Sequence, residues 1–299
     1  MPERTVLGPS IADALRDAAA HFRSSGIADP RREARMLWAA VAGHATTPGD
    51  VWIVRDRAAD PEAAARFCQA IELRAGGVPF AYAVGSTDFR TLQLSIDRRA
   101  LIPRPETEGL VDLVLREAGR AEGGRGKGGV VADIGAGCGC IALSLAVEGQ
   151  FDRVIAVERS PDAAALAREN VARVSPAVQV EVREGDLFGP LADARCRAIV
   201  SNPPYLTETE YRALDPAVRE FEPREALVSG PDGLDATRAL LSGAAALLEP
   251  GGFVAVEIDE RRADTVRSLA HRCGWSRVTL HDDLFGRPRF LVARSTEGV

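Results

Sequence analysis

Nowhere does the chain carry the run of ~20 apolar residues that a bilayer-spanning helix requires, so no membrane span is expected. Its first residues, Met1-Pro2-Glu3-Arg4-Thr5, lack a basic stretch followed by an apolar core. No secretion signal is therefore expected, and the cytoplasm is the expected location. The five cysteines (Cys68, Cys138, Cys140, Cys196 and Cys273) are odd in number and scattered, which excludes a disulfide framework. Cys138 and Cys140 are spaced C-x-C rather than C-x-x-C, and no second pair follows. With that spacing no metal site is expected. The four histidines, His21, His44, His271 and His281, do not cluster and read as surface or partly packed side chains. Positive charge is in deficit as well. A net charge of -6 argues against a protein that coats nucleic acid by charge alone.

What is present is the composition of a soluble globular protein, 46% hydrophobic and 27% charged. With 299 residues there is room for one large domain or two ordinary ones. The first eighty or so residues read as helices only. Ser10 can cap a helix carrying Ile11, Leu15, Ala18, Ala19 and Phe22 on one face. Asp29-Pro30 opens a second helix, with Ala34, Leu37, Trp38 and Val41, which Gly43 can end. Asp60-Pro61 repeats the start signal, and Gly76-Gly77 stops that segment. Leu92, Leu94 and Ile96 then alternate with polar residues, the period of a half-exposed strand, and suggest a short hairpin linker. Pro105 feeds a helix through Leu110, Val111, Leu113 and Val114. The run from Gly119 to Gly129 is either a flexible basic contact for RNA or a solvated loop. With no aromatic residue beside the charge, the loop is favoured.

Beyond Gly129 the chain alternates strand and helix. Strands are expected over 129–134, 153–158, 178–182, 198–201, 253–258, 278–281 and 289–292. Helices are expected over 141–147, 161–173, 234–248 and 261–273, with Pro250-Gly251-Gly252 as a stop after the third of these. Such alternation means a mostly parallel sheet covered by helices on both faces, with ligands bound at the carboxyl ends of the strands. The expected organisation is a helical domain over 1–85 that docks substrate, a hairpin linker over 86–105 and an α/β domain over 106–299.

Candidate ligand-binding residues fall at those strand ends. Asp133-Ile134-Gly135-Ala136-Gly137-Cys138-Gly139 joins the first strand to its helix, and its glycines allow a tight turn and a close approach to a ligand. Cys140 stands where a dinucleotide-binding loop would want its third glycine, which argues against NAD or FAD. Asp133 suits either a bound amine or the loop's own amides. Glu158, at the tip of the second strand, suits the two hydroxyls of a ribose, or else is an exposed helix-cap charge. Asp186 can accept an adenine amino group or form an Asx turn, and Leu187 can lie against the ring.

Asn202-Pro203-Pro204-Tyr205 is the most specific feature. Two prolines cannot continue a central strand, because they lack the amide donor and fix φ. They leave the Asn202 side-chain carbonyl and the Pro203 backbone carbonyl as acceptors. An amide or aniline-like NH2 is a poor nucleophile because its lone pair is delocalised. Two acceptors aimed at its hydrogens favour a localised lone pair and help the charge that develops there. Tyr205 can stack on the flat face of such a group. Asn202, Pro203 and Tyr205 are thus the candidate catalytic residues, and Asn202 through Tyr205, Pro204 included, the candidate substrate site.

In these residues the chain resembles the N5-glutamine methyltransferases that modify peptide chain release factors. The resemblance covers nearly the whole chain. Asn202 to Tyr205 is shared with adenine-N6 and other amino methyltransferases. Leu101-Ile102-Pro103-Arg104-Pro105-Glu106-Thr107-Glu108 resembles the segment before the family's catalytic domain. Phe221-Glu222-Pro223-Arg224-Glu225-Ala226-Leu227, with Gly230-Pro231-Asp232-Gly233-Leu234, resembles the segment after the Asn-Pro-Pro-Tyr element. The resemblance implies a Rossmann-like S-adenosylmethionine-dependent methyltransferase sheet, with a small helical domain joined to it by a β-hairpin. It implies that Gly135 to Gly139, Glu158, Leu187 and Asn202 contact the cofactor, S-adenosyl-L-methionine. The implied protein partner is a class I release factor, methylated on the glutamine of its Gly-Gly-Gln tip, with no direct nucleic acid contact. Ala136 and Cys138 stand where the family usually has Thr or Ser. Glu158 stands for a commoner Asp, Leu187 for a common aromatic, and Arg90-Thr91-Leu92 for an aromatic-Gly-Leu run. Glutamine methylation of a ribosomal protein, adenine-N6 methylation of DNA or RNA, and a cofactor-binding module without catalysis are the competing functions. The acidic charge and the small helical domain disfavour the nucleic acid reading.

Overall fold

A computed structural model describes residues 10–42, 47, 49–119 and 128–294. Gly43, His44, the first five residues and most of the glycine-rich run at 119–129 lie outside the described residues. Contacts divide the chain into Met1–Ser86 and Thr87–Val299.

The first unit is helical: α1 (Ile11–Ser24), α2 (Pro30–Val41), α3 (Asp50–Val54), α4 (Pro61–Ala75) and α5 (Phe80–Val84). Its helix starts are encoded locally. The Ser10 hydroxyl accepts from the Asp13 amide while the Asp13 carboxylate accepts from the Ser10 amide, which satisfies two otherwise orphaned donors. Asp29 and Asp60 cap α2 and α4, each followed by proline at the first helical position. The apolar faces meet in a core of Phe22, Leu37, Trp38, Phe67 and Ile71, in which Trp38 and Phe67 pack edge-on with ring centroids 5.1 Å apart.

After α5 come the hairpin strands β1 (Ser86–Phe89), whose first residue closes the first unit, and β2 (Leu92–Ser95), and then α6 (Pro105–Gly119). Leu92, Leu94 and Ile96 all point into the core, as the alternation predicts. Arg90 makes the tight turn at φ 54° and is held there by several partners. Its amide donates to the Glu108 side chain, and its guanidinium pairs with Asp112 and with both oxygens of Glu148. The buried Asn170 amide ties the hairpin to the body of the unit: it accepts from the Ser95 amide and donates to the carbonyls of Ser95 and Cys138.

The remaining elements are β3 (Val130–Ile134), α7 (Cys140–Glu148), β4 (Arg153–Glu158), α8 (Pro161–Val174), β5 (Gln179–Glu184) and β6 (Cys196–Ser201). The short helices α9 (Glu208–Arg212) and α10 (Pro216–Phe221) follow. Then come α11 (Asp235–Gly243), β7 (Leu248–Glu257), α12 (Ala263–Arg272), β8 (Arg277–Asp282) and β9 (Pro288–Arg294). The seven-stranded sheet runs β5-β4-β3-β6-β7-β9-β8, parallel except where β9 pairs antiparallel with β7 and β8. This is the mostly parallel sheet expected from the alternation, in the Rossmann-like form that the family resemblance implies. The strand order reverses direction at β3, which lies between β4 and β6, so a crevice opens at its carboxyl end. Asp133 lies opposite both Ala156 and Val200, Glu158 opposite Glu184, and Ser201 opposite Val256. With that register the ends of β3, β4, β5, β6 and β7 come level.

Three expectations need correction. The helix expected over 234–248 ends at Gly243, and a 3-10 turn over Ala244–Leu247 follows it. Pro250-Gly251-Gly252 is not a loop between helix and strand but lies inside β7, where the register against β6 shifts. The physical reason is a close backbone approach: a Cβ on Gly252 would stand 3.0 Å from the Arg197 carbonyl and 3.1 Å from that of Cys196. The helix expected from Arg261 begins at Ala263, after a 3-10 turn over Glu260–Arg262.

Candidate active site

A cleft at the carboxyl end of the sheet is lined by Gly135, Gly137, Glu158, Asp186, Leu187, Asn202, Pro203 and Pro204. Arg99, Leu101, Pro223, Glu225 and Leu240 are also among its lining residues. The loop after β3 is shaped by three glycines in the left-handed region, Gly135 (φ 75°), Gly137 (φ 56°) and Gly139 (φ 85°). A Cβ on Gly135 would meet no protein atom within 4 Å, so its bare Cα borders open space in which a ligand can approach the backbone closely. Glu158 braces this loop. One of its oxygens accepts from the Gly137 amide at 2.8 Å and the other from the Ser160 amide at 2.8 Å. Each oxygen keeps lone-pair capacity toward the cleft. Leu187 sits at φ 48°, which is strained for a residue with a branched side chain, and it packs on the sheet core while facing the cleft.

Other candidates lie beneath the surface of the cleft rather than on it. Ala136, Cys138 and Gly139 are not among the lining residues, and the side chains of the first two are buried. Asp133 is fully buried under the loop. One of its oxygens accepts from the Ala142 amide at 3.1 Å, and the other has no protein partner among the described residues. Burial pushes its carboxyl up to about 7, against the lowering effect of the Ala142 amide and with a further push from Glu158. A carboxyl whose folded-state pKa is raised loses stability as pH climbs from its unfolded value near 4 toward 7, because the folded form holds the proton longer. Asp133→Asn should therefore gain on the wild type by roughly 1–3 kcal/mol between pH 5 and pH 8. Urea denaturation at the two pH values measures this, and a gap that does not change with pH would refute it.

Asn202 follows β6, whose last residue is anchored by a 2.7 Å hydrogen bond from the Ser201 hydroxyl to the Ile134 carbonyl. The Asn202 Nδ2 donates to Thr107 Oγ1 at 3.0 Å, and Thr107 Oγ1 donates to Glu257 Oε2 at 2.7 Å. Neither Asn202 Oδ1 nor the Pro203 carbonyl takes a hydrogen bond from a described residue. Tyr205 is half-buried and does not line the cleft. Burial and the nearby Glu257 push its phenol up to about 12, so it stays neutral at ordinary pH. Beyond it, Leu206 exchanges backbone hydrogen bonds with Leu227 and Ser229. Gly233 packs so closely on the Tyr205 carbonyl that a Cβ there would come within 2.4 Å. Glu222, its side chain 1% exposed, accepts from Arg104 at 2.7 Å and from the Ile102 amide at 3.2 Å. The stretches around Ile102, Asn202 and Glu222, more than a hundred residues apart at their extremes, thus form one wall.

Thr107 and Glu257 were not among the sequence candidates. Thr107 lies within the family-like stretch at 101–108 with no role assigned to it, and Glu257 sits in an apolar strand, where an acid signals a buried partner. Among the described residues, no three His, Cys, Asp or Glu side chains gather as a metal site, and no helix is long and apolar enough to cross a membrane.

Residues 13–85 match the PrmC N-terminal domain, and residues 118–221 match the methyltransferase small domain. The release factor glutamine methyltransferase of Cereibacter sphaeroides is 40% identical over 283 residues, covering 95% of this chain and 98% of that protein. The protein of the same name from Deinococcus radiodurans is 38% identical over 289 residues, covering 96% and 99%. Among solved structures, the catalytic domain of hMettl16, in complex with a MAT2A 3′UTR hairpin, superposes with a TM-score of 0.56 at 17% identity. That match covers 79% of this chain and 82% of the other, and it shows the shared methyltransferase fold. On sequence, length and architecture together, the chain belongs to the release factor glutamine methyltransferase family.

Proposed function

We propose that this enzyme transfers a methyl group from S-adenosyl-L-methionine to the side-chain N5 of the glutamine in the Gly-Gly-Gln motif of class I release factors, in the cytoplasm. The observation that carries the reading is the pair of free acceptors at the cleft wall, Asn202 Oδ1 and the Pro203 carbonyl, beside a glycine-floored crevice. The residues fit the cofactor. The open face of Gly135 and the backbone of Gly137 suit close approach, Glu158 keeps acceptor capacity for ribose hydroxyls, and Asp186 and Leu187 offer an acceptor and an apolar face for an adenine. Asp133, Ala136, Cys138 and Gly139 serve the same site by shaping the loop from below. When bound, the cofactor supplies an electrophilic methyl on a sulfonium.

The chain's own residues do the rest. Asn202 Oδ1 and the Pro203 carbonyl accept the two hydrogens of the glutamine amide, which turns its nitrogen lone pair out of conjugation. Pro203 and Pro204 hold those acceptors without conformational search. Tyr205, neutral, half-buried and set back from the cleft lining, orders the segment from behind. The bound cofactor would supply the methyl and keep the sulfur electron pair, and the positive charge that develops on the glutamine nitrogen would be stabilised by the two oxygens. The extra proton then leaves to water, so no strong base is required. Incubation of the purified protein with a class I release factor and methyl-labelled cofactor tests the reading. Label should appear on the Gly-Gly-Gln peptide and vanish when that glutamine is replaced by alanine. Cofactor binding without label on that peptide would overturn it.

A further inference from the structure

We propose that Thr107 and Glu257 are positioning residues that fix which way the Asn202 amide faces, and so make its oxygen, not its NH2 group, the atom presented to the cleft. The inference rests on the reading that Asn202 receives the substrate amide. Counting protons decides the orientation. A threonine hydroxyl has one hydrogen. An ionised carboxylate can only accept, so at 2.7 Å from Glu257 Oε2 the Thr107 hydrogen is committed to that oxygen. Thr107 Oγ1 is then left as an acceptor toward its other neighbour, 3.0 Å away. Only the NH2 end of the Asn202 amide can satisfy it. The reversed amide would set two lone-pair oxygens against each other at a site where Thr107 and Glu257 are each 2% exposed and water has no access. Three elements build the device: the first turn of α6, the end of β7 and the residue after β6. The parallel register that sets Ser201 beside Val256 brings Asn202 and Glu257 level. A bare carboxamide in a cleft would present either end; this one is wired to an acid.

The wiring needs the carboxylate charged. Glu257 faces Thr107 and Glu106 on α6, Arg104 just before it, Arg289 at the start of β9, and Tyr205 beyond β6. Its burial outweighs the Thr107 hydrogen bond and the two arginines and pushes the carboxyl up to about 7. Below that pH the protonated acid can donate to Thr107 Oγ1, the threonine hydrogen is released, and the amide loses its enforced sense. Activity should therefore fall on the acid side of about 7 for a reason lodged in Glu257.

Two readouts test this, one without turnover. In 15N-labelled protein free of substrate, the Asn202 side-chain NH2 pair, assigned by its absence in Asn202→Asp, should be protected from exchange at pH 8. Thr107→Val should shift the pair and speed its exchange, and Thr107→Ser should leave it in place. In turnover, Thr107→Val should lower kcat about 10–100-fold, with the KM for release factor and the cofactor Kd within about threefold, and Thr107→Ser should restore most of the loss. Glu257→Gln, whose amide can donate or accept, should lower kcat and remove the acid limb of its pH profile. The proposal fails if folded Thr107→Val keeps both the wild-type kcat and the wild-type Asn202 resonances, or if the acid limb survives in Glu257→Gln. Should the resonances respond as expected in a protein that methylates no release factor, the positioning device stands and the substrate reading falls.

Discussion

Replacing Asn202 with alanine is expected to lower kcat for release factor methylation by roughly 30- to 1000-fold, the equivalent of ~2–4 kcal/mol of transition-state stabilisation for one preorganised polar contact. The fold should survive. Asn202 lies beyond the end of β6, its side chain makes one hydrogen bond among the described residues, to Thr107, and it belongs to no core cluster. Cofactor affinity should change far less than kcat, because Gly135, Gly137, Glu158 and Leu187 contribute separate surfaces of the cleft. The split is the informative part. An acceptor that acts on the developing charge alters kcat and kcat/KM together, whereas one that merely holds substrate alters KM. Asn202→Asp should not rescue, since it sets a carboxylate oxygen where Thr107 Oγ1 requires a donor. Single-turnover transfer of labelled methyl at saturating cofactor measures the effect. A kcat within about threefold of wild type would remove Asn202 from the chemistry.

The second large effect is expected at Arg104, and it is one of stability. Glu222 is almost wholly buried, whereas Arg104 is 33% exposed. Arg104→Ala therefore strands a buried carboxylate with the Ile102 amide as its remaining donor, a situation that costs ~3 kcal/mol or more. Removing the acid instead, as Glu222→Gln, should cost less. The amide can still accept from Ile102, and the arginine left behind can turn to water. The double variant should be more stable than the sum of the single losses predicts, because no charge is then left buried. Urea denaturation of the four proteins closes the cycle, and a coupling near zero would mean that the pair is ornamental. Activity should follow stability here. Arg104 and Glu222 join the stretch before α6 to the stretch after α10, and both flank the wall that carries Asn202.

Much of this protein was legible from residues alone, and for a consistent reason. Signals that act over a few residues depend on nothing distant. Ser10, Asp29 and Asp60 cap helices because a short side-chain acceptor reaches its own chain three residues on. The apolar runs ending at Ile134, Glu158 and Ser201 are strands because their bulk and period suit a sheet buried on both faces. Asn202 to Tyr205 announced amide chemistry because two prolines forbid the ordinary continuation of a strand. The stretches around Ile102 and Glu222 marked a family without revealing what their side chains do.

What the tertiary structure alone decided is which of these residues meet and which way they face. Gly135 and Gly137 border the cleft while Ala136, Cys138 and Asp133 turn beneath it, a difference set by three positive φ angles and not by residue type. Pro250-Gly251-Gly252 reads as a turn, yet the proximity of the Cys196 and Arg197 carbonyls makes it the interior of β7. The two family stretches prove to be halves of one wall through Arg104 and Glu222. Thr107 and Glu257, 150 residues apart, matter to Asn202 because sheet register brings Glu257 level with it and the first turn of α6 sets Thr107 between the two. The chain by itself determined the fold, the family and the residue types that handle an amide. The orientation of that amide's acceptor is a matter of one hydrogen shared among three distant side chains, and only packing decides where such a hydrogen goes.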